Sequence, residues 1–385
     1  MDYNKKSLEI HEKHKGKLSV ELKVPLKSTE DLSVAYTPGV AEPCREIAKD
    51  SENAYKYTIK GNSVAVITDG SSVLGLGNIG GLAGLPVMEG KAALFKEFAN
   101  IDAYPICLAE QNVQKTIETI KNIAPGFGGI NLEDIKAPEC FEIEAALQNL
   151  GIPVMHDDQH GTAIVVLAAL INALKVVSKD KETVRVVVNG AGAAGIAITK
   201  LLIKYGFNSG QLIMCDSKGV IFIGREDLVS NKYKQEIASV TNSVKLQGHL
   251  SDALKGADIF IGVSVKDAVT QDMVKSMNSD AIIVAMANPD PEILPIDAKA
   301  AGATVVATGR SDFPNQVNNV LAFPGLFRGA LDSRATSITD DMKLTAAKAL
   351  AALVLEPNAD KILPSPLDKS VVPAIADAVK SVLKS

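Results

Sequence analysis

Two acidic pairs in the sequence have the make-up of a metal site. Glu133-Asp134 lies in GINLEDIKAPECF and Asp157-Asp158 in MHDDQHGTA. Carboxylate oxygens are hard ligands, and an all-oxygen set suits Mg²⁺ or Mn²⁺. Like charges gathered at one place repel unless a cation or a shared proton compensates. Each pair follows an apolar run that reads as a strand, and sites in open α/β sheets form at the carboxyl ends of strands. Neighbouring strand residues point to opposite faces. Both members of a pair therefore reach one ion only where the strand has given way to a loop. Taken singly, either pair also reads as solvated loop acids. His156 and His160 flank the second pair. Zinc sites usually collect Cys or several His, and Cys140 is the only cysteine nearby, so zinc ranks below Mg²⁺ or Mn²⁺. The two histidines read as structural hydrogen-bonders.

The pattern GxGxxG occurs twice. The second copy, Gly190-Ala191-Gly192-Ala193-Ala194-Gly195, follows the strand candidate Val184–Asn189 and opens the helix candidate Ala194–Tyr205. Asp216 ends the next strand candidate, at the dinucleotide spacing. Gly190 would allow the tight turn, Gly192 the approach of pyrophosphate, and Gly195 close helix–strand packing. A helix start offers free N–H groups and a positive dipole end to phosphates. Asp216 would bond ribose hydroxyls and favour NAD, whereas Ser217-Lys218 would hold a 2′-phosphate, so the choice of NAD or NADP stays open. The first copy, Gly75 to Gly80, is followed by Gly81, Gly84 and Pro86, and no helix is expected directly behind it. It reads as a close-packed loop, either approaching a small substrate or merely connecting elements.

Lys91 in MEGKAALF sits at the start of an apolar helix pattern, where burial would lower its pKa toward that of a general base. Tyr36 in AYTPGVAEPC precedes a Pro-Gly turn, and a phenol can act as a general acid. On residue type alone, these two read equally as a snorkelling surface lysine and a packed tyrosine.

Strand-like and helix-like runs alternate over most of the chain, which predicts an α/β fold with a mainly parallel sheet. Strands are expected at Ser63–Thr68, Tyr104–Leu108, Gly129–Leu132 and Pro153–Met155, with helices at Gly90–Ala99, Val113–Ile123 and Pro138–Leu150. Further strands are expected at Arg185–Asn189, Leu212–Cys215, Ile259–Gly262, Ile282–Ala285 and Val305–Ala307. Thr162–Ser178 reads as a long helix bridging two halves. The expected boundary lies near Gly161, giving an α/β domain over residues 1–160 and a Rossmann-type domain over 161–385 with terminal helices.

The length, 385 residues with 46% hydrophobic and 22% charged, fits two domains with sizeable cores. The net charge of −5 and the lack of a basic block disfavour nucleic acid and anionic membrane. No apolar run approaches the roughly 20 residues of a membrane helix. The start of the chain lacks the marks of a secretory signal or transit peptide. Cys44, Cys107, Cys140 and Cys215 form no CxxC and read as free thiols. A cytoplasmic enzyme is expected.

In order along the chain, AYTPGVAEPC, TDGSSVLGLGNIGGLAGLPVMEGKAALFK, NLEDIKAPECF, HDDQHGTA, NGAGAAG, ANPDPE and NQVNNVLAFPG resemble malic enzyme, in its compact bacterial-type form. The phosphotransacetylase-like domain of longer bacterial forms is not expected. The resemblance implies oxidative decarboxylation of L-malate to pyruvate and CO₂ with NAD or NADP and Mg²⁺ or Mn²⁺. It implies Lys91 as general base and Tyr36 as general acid. Glu133, Asp134 and Asp158 would be metal ligands, and Asp157 would orient Lys91 or tune its charge. Asn288 and Asn319 would hold substrate and nicotinamide. Gly190, Gly192, Ala193, Ala194, Gly195, Asp216, Ser217 and Lys218 would bind the dinucleotide. Larger eukaryotic members carry an Arg where Ser72 stands here, so Ser71, Ser72 or backbone N–H groups would hold the malate carboxylate opposite the metal. The competing readings are an amino-acid, shikimate or methylene-tetrahydrofolate dehydrogenase, which needs no cation, and a nucleotide-sensing module without chemistry. A homodimer is expected, with Lys17–Leu26 suited either to pairing with another chain or to folding back.

Overall fold

The computed structural model describes residues 3–383. Met1, Asp2, Lys384 and Ser385, at the outer ends of the two expected domains, lie outside the described residues. Four short helices come first: α1 (Tyr3–His14), α2 (Thr29–Ala35), α3 (Ala41–Lys49) and α4 (Asn53–Tyr57). Between α1 and α2 the Lys17–Leu26 segment is anchored on its own chain by its lysines. Lys17 N and Nζ donate to Glu89 Oε2 and the Pro86 carbonyl, and Lys23 Nζ pairs with Asp102. Its apolar side faces outward, with Val20 89% and Leu22 70% exposed.

The first sheet is built from β1 (Ser63–Thr68), β2 (Asp102–Cys107), β3 (Gly129–Leu132) and β4 (Val154–His156). Helices α5 (Gly81–Ala99), α6 (Val113–Ile123) and α7 (Glu139–Leu147) connect them. The order is β2-β1-β3-β4, all parallel. Residues of β1, β3 and β4 are buried throughout, which explains their near-continuous apolar runs. The strand order reverses beside β1, and the loops after β1, β3 and β4 open there together, as expected of an α/β crevice.

Two expectations fail in this half. A helix, α5, does open directly behind the first glycine loop. Its glycines report close packing: a Cβ on Gly81 would lie 2.2 Å from the Leu108 carbonyl oxygen. Pro86 removes only the bond that would reach Leu82, whose side chain is exposed in the first turn. The long helix, α8 (Asp157–Val176), starts five residues before Thr162. Gly161 lies inside it, because the missing side chain makes room for the Asp157 carboxylate. The expected boundary thus falls within a continuous helix, and Asp157-Asp158 occupy its first turn, not a loop.

By length and composition α8 could cross a membrane, contrary to the reading that no run approaches that length. It is 72% buried inside the protein over its apolar window and serves as a core helix, packed on the helices of the second half.

The second sheet comprises β5 (Val186–Asn189), β6 (Leu212–Asp216), β7 (Gly219–Val220), β8 (Ile259–Gly262), β9 (Ile282–Ala285) and β10 (Val305–Thr308). Its helices are α9 (Ala193–Tyr205), α10 (Lys232–Val240), α11 (Leu250–Leu254), α12 (Gln271–Lys275) and α13 (Pro295–Ala300). The order β10-β9-β8-β5-β6-β7 is the Rossmann order, with only the short β7 antiparallel. Three helices close the chain: α14 (Phe323–Asp332), α15 (Asp340–Ala352) and α16 (Val371–Val382). Although α14 follows the Rossmann strands, it returns to pack on α5. Phe95 meets Phe323 and Phe327 edge-on at 4.7 and 5.4 Å. All four cysteines are free.

Candidate active site

Parallel register places the ends of β1, β3 and β4 side by side, with Leu132 opposite both Ile67 and His156. Glu133 and Asp157 are therefore the first residues past adjacent strand ends. Lys91, from the middle of α5, reaches between them. Its Nζ lies 2.6 Å from Asp157 Oδ2 and 2.9 Å from Glu133 Oε1, and 4.2 Å from the Phe323 ring centroid. Lys91 is 7% exposed, Glu133 4% and Asp157 0%.

Asp134 turns out of the strand with φ +53°, a left-handed conformation that Asp tolerates better than most residues. Its N–H donates to Asp158 Oδ2 at 2.8 Å. The strand has ended before Glu133 and the chain turns at Asp134, as two neighbours need in order to face one ion. Ligand atoms of Glu133, Asp134 and Asp158 all lie within 4.8 Å of one another.

Charge in the cluster is out of balance. Burial favours the neutral amine of Lys91, but Asp157 and Glu133 outweigh it and raise its pKa. Burial raises the Glu133 carboxyl to about 7, with Asp158 adding to the shift against Lys91. Burial likewise pushes Asp157 to about 7 despite Lys91. One ammonium cannot neutralise this many buried acids. An all-oxygen donor set short of positive charge fits a hard divalent cation.

A second tier of residues holds this cluster, and three of them, Glu144, Asn131 and Asp69, were not singled out from sequence. Glu144 of α7 accepts hydrogen bonds from His156 N–H at 3.0 Å, Gln159 Nε2 at 3.1 Å and His160 Nε2 at 3.0 Å. Burial alone would raise its pKa, but His160 and His156 outweigh it and hold the carboxyl at about 2. Asn131 donates to Glu133 Oε2 at 2.8 Å. Asp69 accepts from Ser71 N–H and Oγ. His156 is fully buried, and burial lowers its pKa to about 4, so it is neutral. The only signal for Glu144 and Asp69 in sequence is a lone acid in an apolar context.

Ser71 Oγ donates to Asp69 and accepts from Lys136 N–H, so its hydroxyl is already engaged. Ser72 is exposed and donates its N–H to the Asp134 carbonyl, beside the acids. Asn319 also approaches the cluster: a Cβ on Gly161 would lie 3.2 Å from Asn319 Cβ. The first glycine loop meets the Rossmann half, since a Cβ on Gly75 would lie 2.6 Å from the Asn288 carbonyl oxygen. Tyr36 is not brought in: it is 66% exposed, and among the described residues it shares no hydrogen bond with the cluster.

The second glycine loop has three separate tasks. Gly190 turns at φ +116° against Val263, and a Cβ on Gly195 would strike the Gly190 carbonyl oxygen. A Cβ on Gly192 would project into open space, at the N-cap of α9, with Ala193 and Ala194 opening the helix. Asp216 follows at the end of β6, but its carboxylate is taken. Arg225 and Lys234 meet Oδ2 at 2.5 and 2.6 Å, and Lys218 N–H donates to Oδ1 at 3.0 Å. Lys218 Nζ pairs with Asp227, and Ser217 is exposed. Glu292, fully buried, ties the loops after β8 and β9 by accepting from Ser264 and Ala287. Arg225, Lys234 and Glu292 were not anticipated from sequence.

Residues 15–115 and 109–148 match the family described as malic enzyme, N-terminal domain, and residues 159–382 match malic enzyme, NAD binding domain. The chain belongs to the malic enzyme family. The enzyme is 57% identical to the bifunctional malic/malolactic enzyme of Bacillus subtilis, over 98% of this chain and 92% of the relative. It is 51% identical to the NADP-dependent malic enzyme of Halomonas elongata, over 94% and 89% of the two chains. The solved NAD-dependent malic enzyme of Thermotoga maritima is 50% identical, with a TM-score of 0.94 covering 97% of this chain and 98% of that one. The enzyme is thus an NAD(P)-dependent, decarboxylating oxidoreductase with an N-terminal α/β domain and an NAD-binding domain.

Proposed function

We propose that the enzyme converts L-malate to pyruvate and CO₂ with one Mg²⁺ or Mn²⁺ held by Glu133, Asp134 and Asp158. The observation that carries this reading is the buried Lys91 set between Glu133 and Asp157 beside those acids. A divalent cation bound there supplies Lewis-acid polarisation of the substrate C2 oxygen. Gly190, Gly192, Ala193, Ala194 and Gly195 would hold the dinucleotide by its pyrophosphate and Asn288 would hold the nicotinamide, which would supply a hydride acceptor for C2.

Lys91 takes the C2 hydroxyl proton. The neighbouring acids hold Lys91 as an ammonium, and it would become a neutral base only where a cation on Glu133 offsets the charge that raises its pKa, which couples the base to cation loading. Asp157 fixes the Nζ position. Neutral Asn319 and the Ser72 hydroxyl donate to malate carboxylate oxygens without adding charge. Phe323 keeps the lysine side of the cluster dry.

Tyr36 protonates C3 of enolpyruvate, and it comes from a second copy of the chain in a homodimer. Supporting this is the exposure of Tyr36 together with the outward apolar side of the Lys17–Leu26 segment before it. The boundary between residues 1–160 and 161–385 is then functional: acids and lysine lie before it, and the nucleotide loop lies after it. A malate-processing enzyme of this kind works in the cytoplasm.

The deciding assay supplies L-malate and Mn²⁺ with NAD⁺ or with NADP⁺, follows absorbance at 340 nm, and quantifies pyruvate. Reduced cofactor matched by pyruvate is expected. Oxaloacetate without pyruvate, or activity indifferent to EDTA, would overturn the reading in favour of a plain dehydrogenase. Unaltered nucleotide binding with no turnover would leave only a sensing role.

A further inference from the structure

We infer that Glu144 is a positioning residue that sets the aim of the acids on the first turn of α8. The inference rests on the metal reading above for its functional meaning, and on geometry alone for its structural part. Glu144 sits on a different helix, α7, and grips three points of one helical turn. These are the N–H of His156, just before the helix, and the side chains of Gln159 and His160, three and four residues on. Asp157 and Asp158 lie between the gripped positions. Their directions are therefore fixed: Asp157 toward Lys91, and Asp158 toward Asp134 N–H.

Three donors converging on one carboxylate leave little room for substitution. A glutamine keeps the size but presents one carbonyl oxygen and one NH₂. The NH₂ would then face Gln159 and His160, so the Gln159 amide must flip and the His160 ring must change tautomer, or N–H meets N–H inside the protein and the grip breaks. A helix start also leaves its first N–H groups without intrahelical partners, and Glu144 serves one of them from outside the helix. No side chain of the helix itself caps this end. Partners of this kind, one step removed from a metal ligand, typically change metal affinity by 10–100-fold when mutated.

The test compares wild-type enzyme with Glu144→Gln. Mn²⁺ binding is read from the electron paramagnetic resonance of free Mn²⁺, NADP⁺ binding from calorimetry, and the amides of residues 156–161 from hydrogen exchange. Expected for Glu144→Gln are Mn²⁺ binding weakened by roughly 10–100-fold, unchanged NADP⁺ binding and faster exchange confined to those amides. A folded Glu144→Gln with unchanged Mn²⁺ affinity and unchanged exchange overturns the inference. Should that variant fail to fold, Gln159→Met removes one donor while keeping the carboxylate, and it must shift both readouts the same way, less far. A wild type that binds no Mn²⁺ sinks the metal reading, while exchange still decides the role of Glu144.

Discussion

Lys91 and Asp157 form a buried ion pair, Nζ to Oδ2 at 2.6 Å, with Asp157 wholly removed from solvent. Removing one partner of such a pair leaves an uncompensated buried charge, which costs about 3–5 kcal/mol. Lys91→Met is expected to lower kcat by about 10²–10⁴-fold, the range of a lost general base. It should not weaken Mn²⁺ binding, because a competing cation has gone. Single-turnover kinetics and a Mn²⁺ titration of the same variant check both halves. Full kcat would remove Lys91 from the chemistry.

Loading the acids should stabilise the fold. At a Mn²⁺ concentration about 100 times its dissociation constant, linkage gives about 2.7 kcal/mol. Thermal unfolding with and without Mn²⁺ would show this rise in wild type. Asp158→Asn and Glu133→Gln should abolish it. EDTA should remove activity, and added Mn²⁺ or Mg²⁺ should restore it.

Arg225 and Lys234 already neutralise Asp216, so the usual repulsion of a 2′-phosphate is cancelled. Arg225 also pairs with Asp227, as does Lys218, so three cations face two carboxylates and one positive charge is left for an incoming phosphate. Lys234→Ala is expected to raise KM for NADP⁺ by about tenfold and to change KM for NAD⁺ by less. Equal effects on the two cofactors would assign Lys234 to holding Asp216 in place only.

If Tyr36 serves the partner's site, two inactive variants should rescue each other. In a mixed dimer of Tyr36→Phe and Lys91→Met, one site carries both changes and the other carries neither. Random exchange of subunits should then restore about a quarter of wild-type activity, given two-fold symmetry. No recovery after verified exchange would place Tyr36 in its own chain's site or outside the chemistry.

Glu144 also predicts acid sensitivity. Its carboxyl lies at about 2 in the fold against an ordinary 4.5. The unfolded chain therefore binds more protons between these values. The stabilisation is complete above about pH 4.5 and is lost as pH falls toward 2, about 3 kcal/mol in all. Glu133 and Asp157, raised to about 7, act with the opposite sign, but only above the ordinary carboxylate range. Urea unfolding between pH 5 and 3 should therefore show a steeper loss in wild type than in Glu144→Gln.

Much of this arrangement was legible because period and punctuation were local. The strands Ser63–Thr68 and Gly129–Leu132 emerge at their expected residues, since fully buried parallel strands write themselves as unbroken apolar runs. The second glycine loop was legible for the same reason. Helix starts were not. Gly81 and Gly161 look like breaks in sequence, yet Gly81 makes room for the distant Leu108 carbonyl, and Gly161 for the Asp157 carboxylate one turn earlier in the same helix. The engagement of Asp216 was hidden because its partners stand 9 and 18 residues away on other elements. The exposure of Tyr36 was equally invisible, as a motif names a residue but not its surroundings.

The return of α14 to α5 bears on how the enzyme can be dismantled. Phe323 belongs, by order along the chain, to the nucleotide-binding half, yet it lies against Lys91. Cutting the gene between the two sheets would therefore not yield a catalytic piece and a cofactor piece. Residues 323–332 would have to be grafted onto the first fragment to seal its core. In this protein the modules of the text and the modules of the object are different, and recombination with another nucleotide-binding unit must respect the second.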